Sequence, residues 1–199
     1  MADASGLAAD AGGRDMWIEA ALKQIGRSGV DGVRVEVLAE SLGITKGGFY
    51  RRFKDRRALL DALLETWRRG RVAAIEKQTE LGEEDARERL RSLIRLYSER
   101  VNPEGIAIEL AIRQWARSDA AAVAAVERVD AARLARVTQL YQALGASAED
   151  ARARAVLVYS FIFGQSLLFL GEAPRRRASL IAACADVLTD VNLDRDFVR

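Results

Sequence analysis

Between Gly43 and Lys54 the chain reads Gly-Ile-Thr-Lys-Gly-Gly-Phe-Tyr-Arg-Arg-Phe-Lys, a stretch in which cations and aromatic rings are interleaved. From Ile44 to Arg57 there are six basic residues, Lys46, Arg51, Arg52, Lys54, Arg56 and Arg57, against one acidic residue. Such side chains make and break no bonds. They attract a polyanion and donate hydrogen bonds to phosphates and base edges. Phe49 and Phe53 stand four apart, so on a helix they point one way, while Lys46, Tyr50 and Arg52 point elsewhere. One face is suited to anchor the segment and another to meet an external partner. A run of charge by itself is most often a solvated helix face. The two phenylalanines, the interleaved Tyr50 and the preceding glycine favour a nucleic-acid contact over that reading.

Other chemistry is poorly provided for. The chain has no histidine, which removes imidazole bases, His-based triads and His metal ligands. Its single cysteine, Cys184, lies in an alanine-rich apolar stretch without a neighbouring base and reads as a buried structural thiol. Carboxylates such as Glu83, Glu84, Asp85, Glu149 and Asp150 gather at expected helix starts, where they complement the helix dipole. No enzyme, metal site or cofactor is expected. One cysteine forms no intramolecular disulfide, and no leader pattern opens the chain, so the cytoplasm is the expected compartment. The most apolar run, Val156 to Leu170, is interrupted by Tyr159, Ser160, Gln165 and Ser166 and reads as a buried helix rather than a membrane span.

The elements that must position the basic stretch are helical. Half of the 199 residues are apolar, prolines number 2, and Ala, Leu, Arg and Glu dominate, so an all-α fold is expected. Residues 1–13 are small and aperiodic and read as a flexible tail. A helix begins near Arg14, with Trp17, Ala21 and Ile25 repeating every four residues, and stops at Ser28-Gly29. Val35, Leu38, Ala39 and Leu42 gather on one face of a two-turn helix ended by Gly43. Thr45 is placed to cap the next helix, which carries the basic stretch. Charge is concentrated there: from Val72 onward 18 Lys and Arg face 19 Asp and Glu, while the whole chain has a net charge of +2.

A short helix, a glycine turn and a second helix bearing exposed cations form a helix-turn-helix, whose second member enters the DNA major groove. The run from Trp17 to Leu64, above all VEVLAESLGITKGGFYRRFKDRRALLDALL, resembles the DNA-binding domain of the TetR family of transcriptional regulators. The resemblance covers about a quarter of the chain. It implies that Lys46, Gly47, Gly48, Tyr50, Arg51 and Arg52 face the groove or its phosphates. Arg56 matches a basic position used on the phosphate backbone, and Arg34 and Val35 open the supporting helix where backbone contacts are also made. Phe49, Phe53, Leu38 and Ala39 match the family's small core. Two departures stand out: Arg34 occupies a position usually held by a capping Thr or Ser, leaving the cap to Asp31 or absent, and each glycine of the Gly47-Gly48 pair costs a helix about 1 kcal/mol relative to alanine.

The domain plan expected is a tail (1–13), a helix-turn-helix domain (14–54), a linker helix (55–78) opening at Asp55, and a C-terminal domain (79–199) of five helices. Punctuation falls at Gly82, Asn102-Pro103, Ser118-Asp119, Gly145 to Ser147 and Gly171 to Pro174. A continuous linker helix is a mechanical route from ligand to DNA. Tyr97, Gln114, Trp115, Tyr141, Tyr159 and Phe163 are candidates to line an effector pocket, although aromatic residues at helical spacing are more often plain core. The resemblance implies a homodimer formed by the last two long helices, about Ala148 to Leu170 and Arg175 to Asp190, reading a palindromic double-stranded operator. It also implies a repressor released by a small-molecule effector. The alternative is a helical ligand-binding or interaction protein without sequence-specific DNA binding. Lys46 and Arg52 are the side chains expected to carry operator binding without carrying the fold.

Overall fold

The computed structural model describes residues 4–80, 85–99, 102–168 and 173–191, and every regular element among them is helical. In chain order these are α1 (Ala4–Ser28), α2 (Val35–Leu42), α3 (Lys46–Tyr50), α4 (Arg56–Glu80), α5 (Ala86–Glu99), α6 (Pro103–Trp115), α7 (Ala120–Ala143), α8 (Ala148–Leu167) and α9 (Pro174–Thr189). A single 3-10 turn, Val30–Gly32, joins α1 to α2. The expected all-α architecture is present, with five helices after α4. The punctuation expected at Gly82 and Gly171, the carboxylates Glu83 and Glu84, and the expected end of the apolar helix at Leu170 lie outside the described residues. No helix among the described residues is long and apolar enough to cross a membrane.

Local signals explain most boundaries. Asn102 accepts a hydrogen bond from the Gly105 N–H at 2.9 Å, with Pro103 in the first turn of α6. Asp55 accepts from the Ala58 N–H at 2.8 Å and opens α4. Ser147 accepts from the Asp150 N–H at 3.2 Å and opens α8, and the Asp150 carboxylate accepts from Arg154 at 2.9 Å. At the other end of the chain, α1 begins at Ala4 and not near Arg14, so residues 4–13 of the expected tail continue the helix. The physical reason is that alanine is the best helix former and this segment contains no proline.

The helices gather into two compact units that do not follow the order of the chain: Met1–Arg71 with Asn102–Val129, and Val72–Val101 with Asp130–Arg199. The split into 14–54, 55–78 and 79–199 therefore differs from the packing, because α6 and the start of α7 pack with the N-terminal helices. The close approach of α1 to α6 depends on Gly26, where a Cβ would lie 3.0 Å from Cγ1 of Ile108 and 3.3 Å from its backbone nitrogen. In this first unit Trp17, Ala21 and Ile25 of α1 are fully buried, together with Leu59 and Leu63 of α4 and Ile112 of α6. Glu109, only 3% exposed, is held by Arg113 at 2.9 Å and Arg71 at 3.4 Å, and Arg71 also donates to the Gly105 carbonyl at 3.0 Å. A carboxylate so deeply buried is tolerated only because cations and hydrogen bonds meet it.

The core of the second unit is formed by Leu90 and Ile94 of α5, Val137 and Tyr141 of α7, Ala151, Ala155, Val158 and Ile162 of α8, and Ala185 of α9. Burial pushes the Tyr141 hydroxyl up to about 12, so it remains a donor at any ordinary pH and bonds the Leu188 carbonyl. Arg154 crosses to the Asp190 carbonyl at 2.9 Å.

Within the first unit, Asp119 accepts from the N–H groups of Ala121 (2.9 Å) and Ala122 (3.0 Å) at the start of α7 and pairs with Arg57 of α4. The Arg57 guanidinium holds the Asp119 carboxyl below its ordinary range, with the two backbone N–H groups adding to the effect. A depressed folded-state pKa stabilises the fold above the unfolded value and is lost as pH falls through about 4 and below. Asp119→Asn is accordingly expected to lower the melting temperature at pH 7 and to leave it nearly unchanged near pH 2, as measured by thermal denaturation across that range.

Candidate nucleic-acid interface

The reading head is made by α2, a tight turn and α3. Gly43 adopts φ 66° and ψ 28°, a left-handed conformation that favours glycine. From there its N–H bonds the Glu40 carbonyl at 3.1 Å, and the next N–H, of Ile44, reaches back to Ala39 at 3.0 Å. This double closure satisfies carbonyls at the end of α2 and redirects the chain into α3. Neither helix start carries a side-chain cap. Arg34 is extended and makes no capping bond, so the cap on α2 is absent. Thr45 has the backbone of an N-cap but no side-chain capping bond, and only its carbonyl accepts, from the Gly48 N–H at 2.9 Å.

The recognition helix is shorter than expected. It ends at Tyr50, and Arg51 and Arg52 lie in a turn, although the Phe53 N–H still bonds the Phe49 carbonyl at 3.0 Å. Two glycines in five residues leave little intrinsic helix propensity, so the helix is held by docking. Phe49 and Phe53 stack at 5.4 Å between centroids, and the ring of Trp17 meets Phe49 edge-on at 5.3 Å. All three are buried. The Arg14 guanidinium covers Phe53 at 4.4 Å and donates to the Arg52 carbonyl at 3.0 Å.

The face opposite the phenylalanines exposes Lys46, Gly47, Tyr50 and Arg51, with Arg34 exposed at the start of α2. Tyr50 rests edge-on against Phe49 while remaining 61% exposed. Val35 and Gly48 are buried. Two of the arginines are directed largely at the protein itself. Arg52 is half-buried and donates to the Gly48 carbonyl at 3.1 Å, while Arg56 donates through Nε to the Val33 carbonyl at 2.6 Å and through a second nitrogen to Val30. Arg56 thus ties the start of α4 to the turn before α2, a positioning role that charge counting did not reveal. Glu36 was also missed: its carboxylate lies 2.8 Å from the Lys46 ammonium. The signal was present as an acid in the first turn of a helix, where the dipole offers a sufficient explanation.

The six candidate effector residues are not brought together in one unit. Gln114 is exposed and Trp115 buried in the first unit, while Tyr141, Tyr159 and Phe163 belong to the second and the side chain of Tyr97 lies outside the described residues. Tyr159 and Phe163 adjoin at 6.4 Å, and the buried Arg133 stands over both rings, at 5.8 and 5.3 Å.

Residues 18–63, which span part of α1, all of α2 and α3 and the start of α4, match the family model described as bacterial regulatory proteins, tetR family. This region is similar to the DNA-binding domain of TetR-family regulators. A curated relative, the class A tetracycline repressor protein from transposon 1721 of Escherichia coli, is 48% identical over 48 residues, which are 24% of this chain and 22% of the repressor's length. The chain therefore matches less than a quarter of that relative. The fold extends further: a candidate TetR-family transcriptional regulator from a Rhodococcus species superposes with a TM-score of 0.65 at 26% identity, covering 89% of this chain and 98% of its own. A candidate regulator from Saccharomonospora viridis, solved in complex with choline, gives 0.66 at 22% identity, covering 90% and 96%.

The glycines of this TetR-like head are not demanded by its own packing. A Cβ on Gly48 would meet nothing within 4 Å, and one on Gly47 would meet only the Thr45 hydroxyl at 3.7 Å. Gly48 looks into a cleft of about 380 Å³ bordered by Met16, Ile44, Thr45 and Arg51. Gly47→Ala and Gly48→Ala are each expected to stabilise the DNA-free protein by about 1 kcal/mol, raising the melting temperature by roughly 2–4 °C, while weakening DNA binding if the main chain makes the contact. Lys46→Ala is expected to weaken DNA binding at unchanged melting temperature. Arg52→Ala, which removes a bond within the fold, is expected to lower both, as read by gel shift and thermal denaturation.

Proposed function

We propose that this protein is a sequence-specific, double-stranded DNA-binding transcriptional regulator of the cytoplasm, a repressor that leaves its operator when a small molecule binds. The observation that carries the reading is the division of α3 into an aromatic anchor and an exposed strip of Lys46, Tyr50 and Arg51. A rigidly docked helix with a basic, aromatic outer face has the form needed to enter the major groove, and exposed arginines supply phosphate attraction independent of sequence.

Homodimerisation fits the apolar surface of the second unit. Val156 and Leu157 of α8, Leu167 and Leu168 at its end, and Leu180 and Val187 of α9 are exposed, Leu157 and Val187 by 58% and 62%. Apolar residues concentrated on two helices favour coverage by a second copy. Two heads about a two-fold axis match a palindromic operator with half-sites one helical turn apart or a multiple of it. The effector acts by favouring a dimer whose heads are misspaced, which requires different affinities for the two states. The choline held by the Saccharomonospora viridis protein supports a small molecule as the effector class. Here the Arg133 guanidinium already covers Tyr159 and Phe163, which disfavours a quaternary ammonium on those rings.

Selection of bound fragments from a random DNA library is expected to enrich one palindrome, whose affinity over random duplex falls steeply with salt. Failure to enrich any sequence would favour a helical binding protein without operator recognition. Leu157→Glu is expected to convert the dimer to monomer in analytical ultracentrifugation and to weaken operator binding more than binding to a single half-site.

A further inference from the structure

Lys46 does not stand alone on the exposed strip. The Glu36 carboxylate, in the first turn of α2, reaches its ammonium at 2.8 Å, with side-chain exposures of 60% and 57%. The Lys46 ammonium, together with the backbone N–H of Glu36 itself, holds the Glu36 carboxyl below its ordinary range, so it is ionised at neutral pH. An acid is therefore set beside the exposed lysine that opens α3.

An ionised carboxylate can only accept hydrogen bonds. The phosphates are also acceptors and carry the same charge, so Glu36 gains nothing from the DNA backbone and is repelled by it. The donors that a duplex presents in the major groove are exocyclic amino groups, and the pairing that suits a carboxylate is the N4 amino group of cytosine. The influence of Glu36 on binding is thus dependent on sequence by its chemistry: unfavourable over any site and offset where cytosine lies beneath it. Lys46 has three N–H donors and can keep Glu36 as a partner while donating to O6 or N7 of a guanine. An exposed pair of this kind is weak enough to rearrange on contact.

We propose that Glu36 determines specificity by accepting a hydrogen bond from the N4 amino group of one cytosine in each half-site, while Lys46 beside it donates to a guanine of the same or adjoining base pair. This rests on the reading of the protein as a DNA-binding regulator, and the two are tested separately in one experiment. Wild type, Glu36→Ala and Glu36→Gln are each carried through selection from the same random DNA library, then titrated against the wild-type operator and its single-base-pair variants. Wild type is expected to require a C·G pair at one position per half-site. Glu36→Ala is expected to lose discrimination there by on the order of tenfold, to keep the remaining positions, and to bind random duplex more tightly. Glu36→Gln gains an amide donor and is expected to shift that position toward adenine, whose N6 and N7 an amide can bind together.

If both variants select the wild-type sequence with undiminished preference at every position, Glu36 merely restrains Lys46 and the inference is overturned, while the regulator reading stands. If wild type itself enriches no sequence, the regulator reading fails and takes the inference with it. Melting temperatures of the variants accompany the titrations. If Glu36→Ala is unfolded, Glu36→Gln decides, because a change of preferred base is an outcome that loss of structure does not produce.

Discussion

The reading head depends on the docking of Phe49 and Phe53 against Trp17. Isolated helices of fewer than about 12–15 residues are marginal in water even with good helix formers. Here a helix of 5 residues contains two glycines and no side-chain cap. Its conformation is imposed from outside: two stacked rings on one face, an indole edge beneath them and a guanidinium over the second ring. The same docking orients the opposite face, because on so short a helix any rotation about its axis would bury Tyr50 or expose Phe49. Anchoring and reading are two sides of one constraint.

The docking in turn requires α2 and α4 to be held in place, and arginines provide much of this. Arg56 gathers the carbonyls of Val30 and Val33 where the chain turns between α1 and α2. One residue further on, Arg57 bonds Asp61 in its own helix and Asp119 at the start of α7. The planar guanidinium, with several donors in a fixed fork, can serve two acceptors at once where a lysine would serve them poorly. Through these bonds, and through the close approach of α1 to α6 at Gly26, a segment from the middle of the chain becomes part of the unit that contains the reading head.

Features of local origin were legible in the sequence. The four-residue spacing of Trp17, Ala21 and Ile25 found the buried face of α1, Gly43 marked the left-handed turn, and Asp55 and Asn102 marked helix starts. Each is decided by a few neighbouring residues. What remained hidden was decided by distant partners. Nothing in the order of residues says that Arg52 and Arg56 are half-buried against protein carbonyls while Arg51, whose Nε reaches the Gly47 carbonyl at 3.4 Å, stays exposed, since all three add equally to a count of charge. The grouping of α6 with α1 was hidden for the same reason, and so was the assignment of Trp115 to a different unit from Tyr141, Tyr159 and Phe163. Tertiary neighbours also set the extent of α3: propensity argued against a helix at Gly47-Gly48, and docking rescued only one turn of it.

These placements limit how such a head can discriminate between sequences. Gly47 and Gly48 offer no side chains, while Arg52 and Arg56 have committed donors within the fold. Arg34 and Arg51 are exposed and suited to phosphates, which carry no sequence information directly. Under the proposed function, base reading would be left to Lys46 with Glu36, to Tyr50, and to the exposed main chain at Gly47. Few contacts of this kind give modest selectivity in one half-site, on the order of tenfold for each well-made pair. A two-fold dimer squares that factor, since identical contacts in two separated half-sites add in free energy: tenfold becomes about a hundredfold for each position read. In the proposed dimer, weak reading by one head and symmetric pairing of two are complementary requirements, and the apolar faces of α8 and α9 would bear on specificity as directly as the residues that would touch DNA.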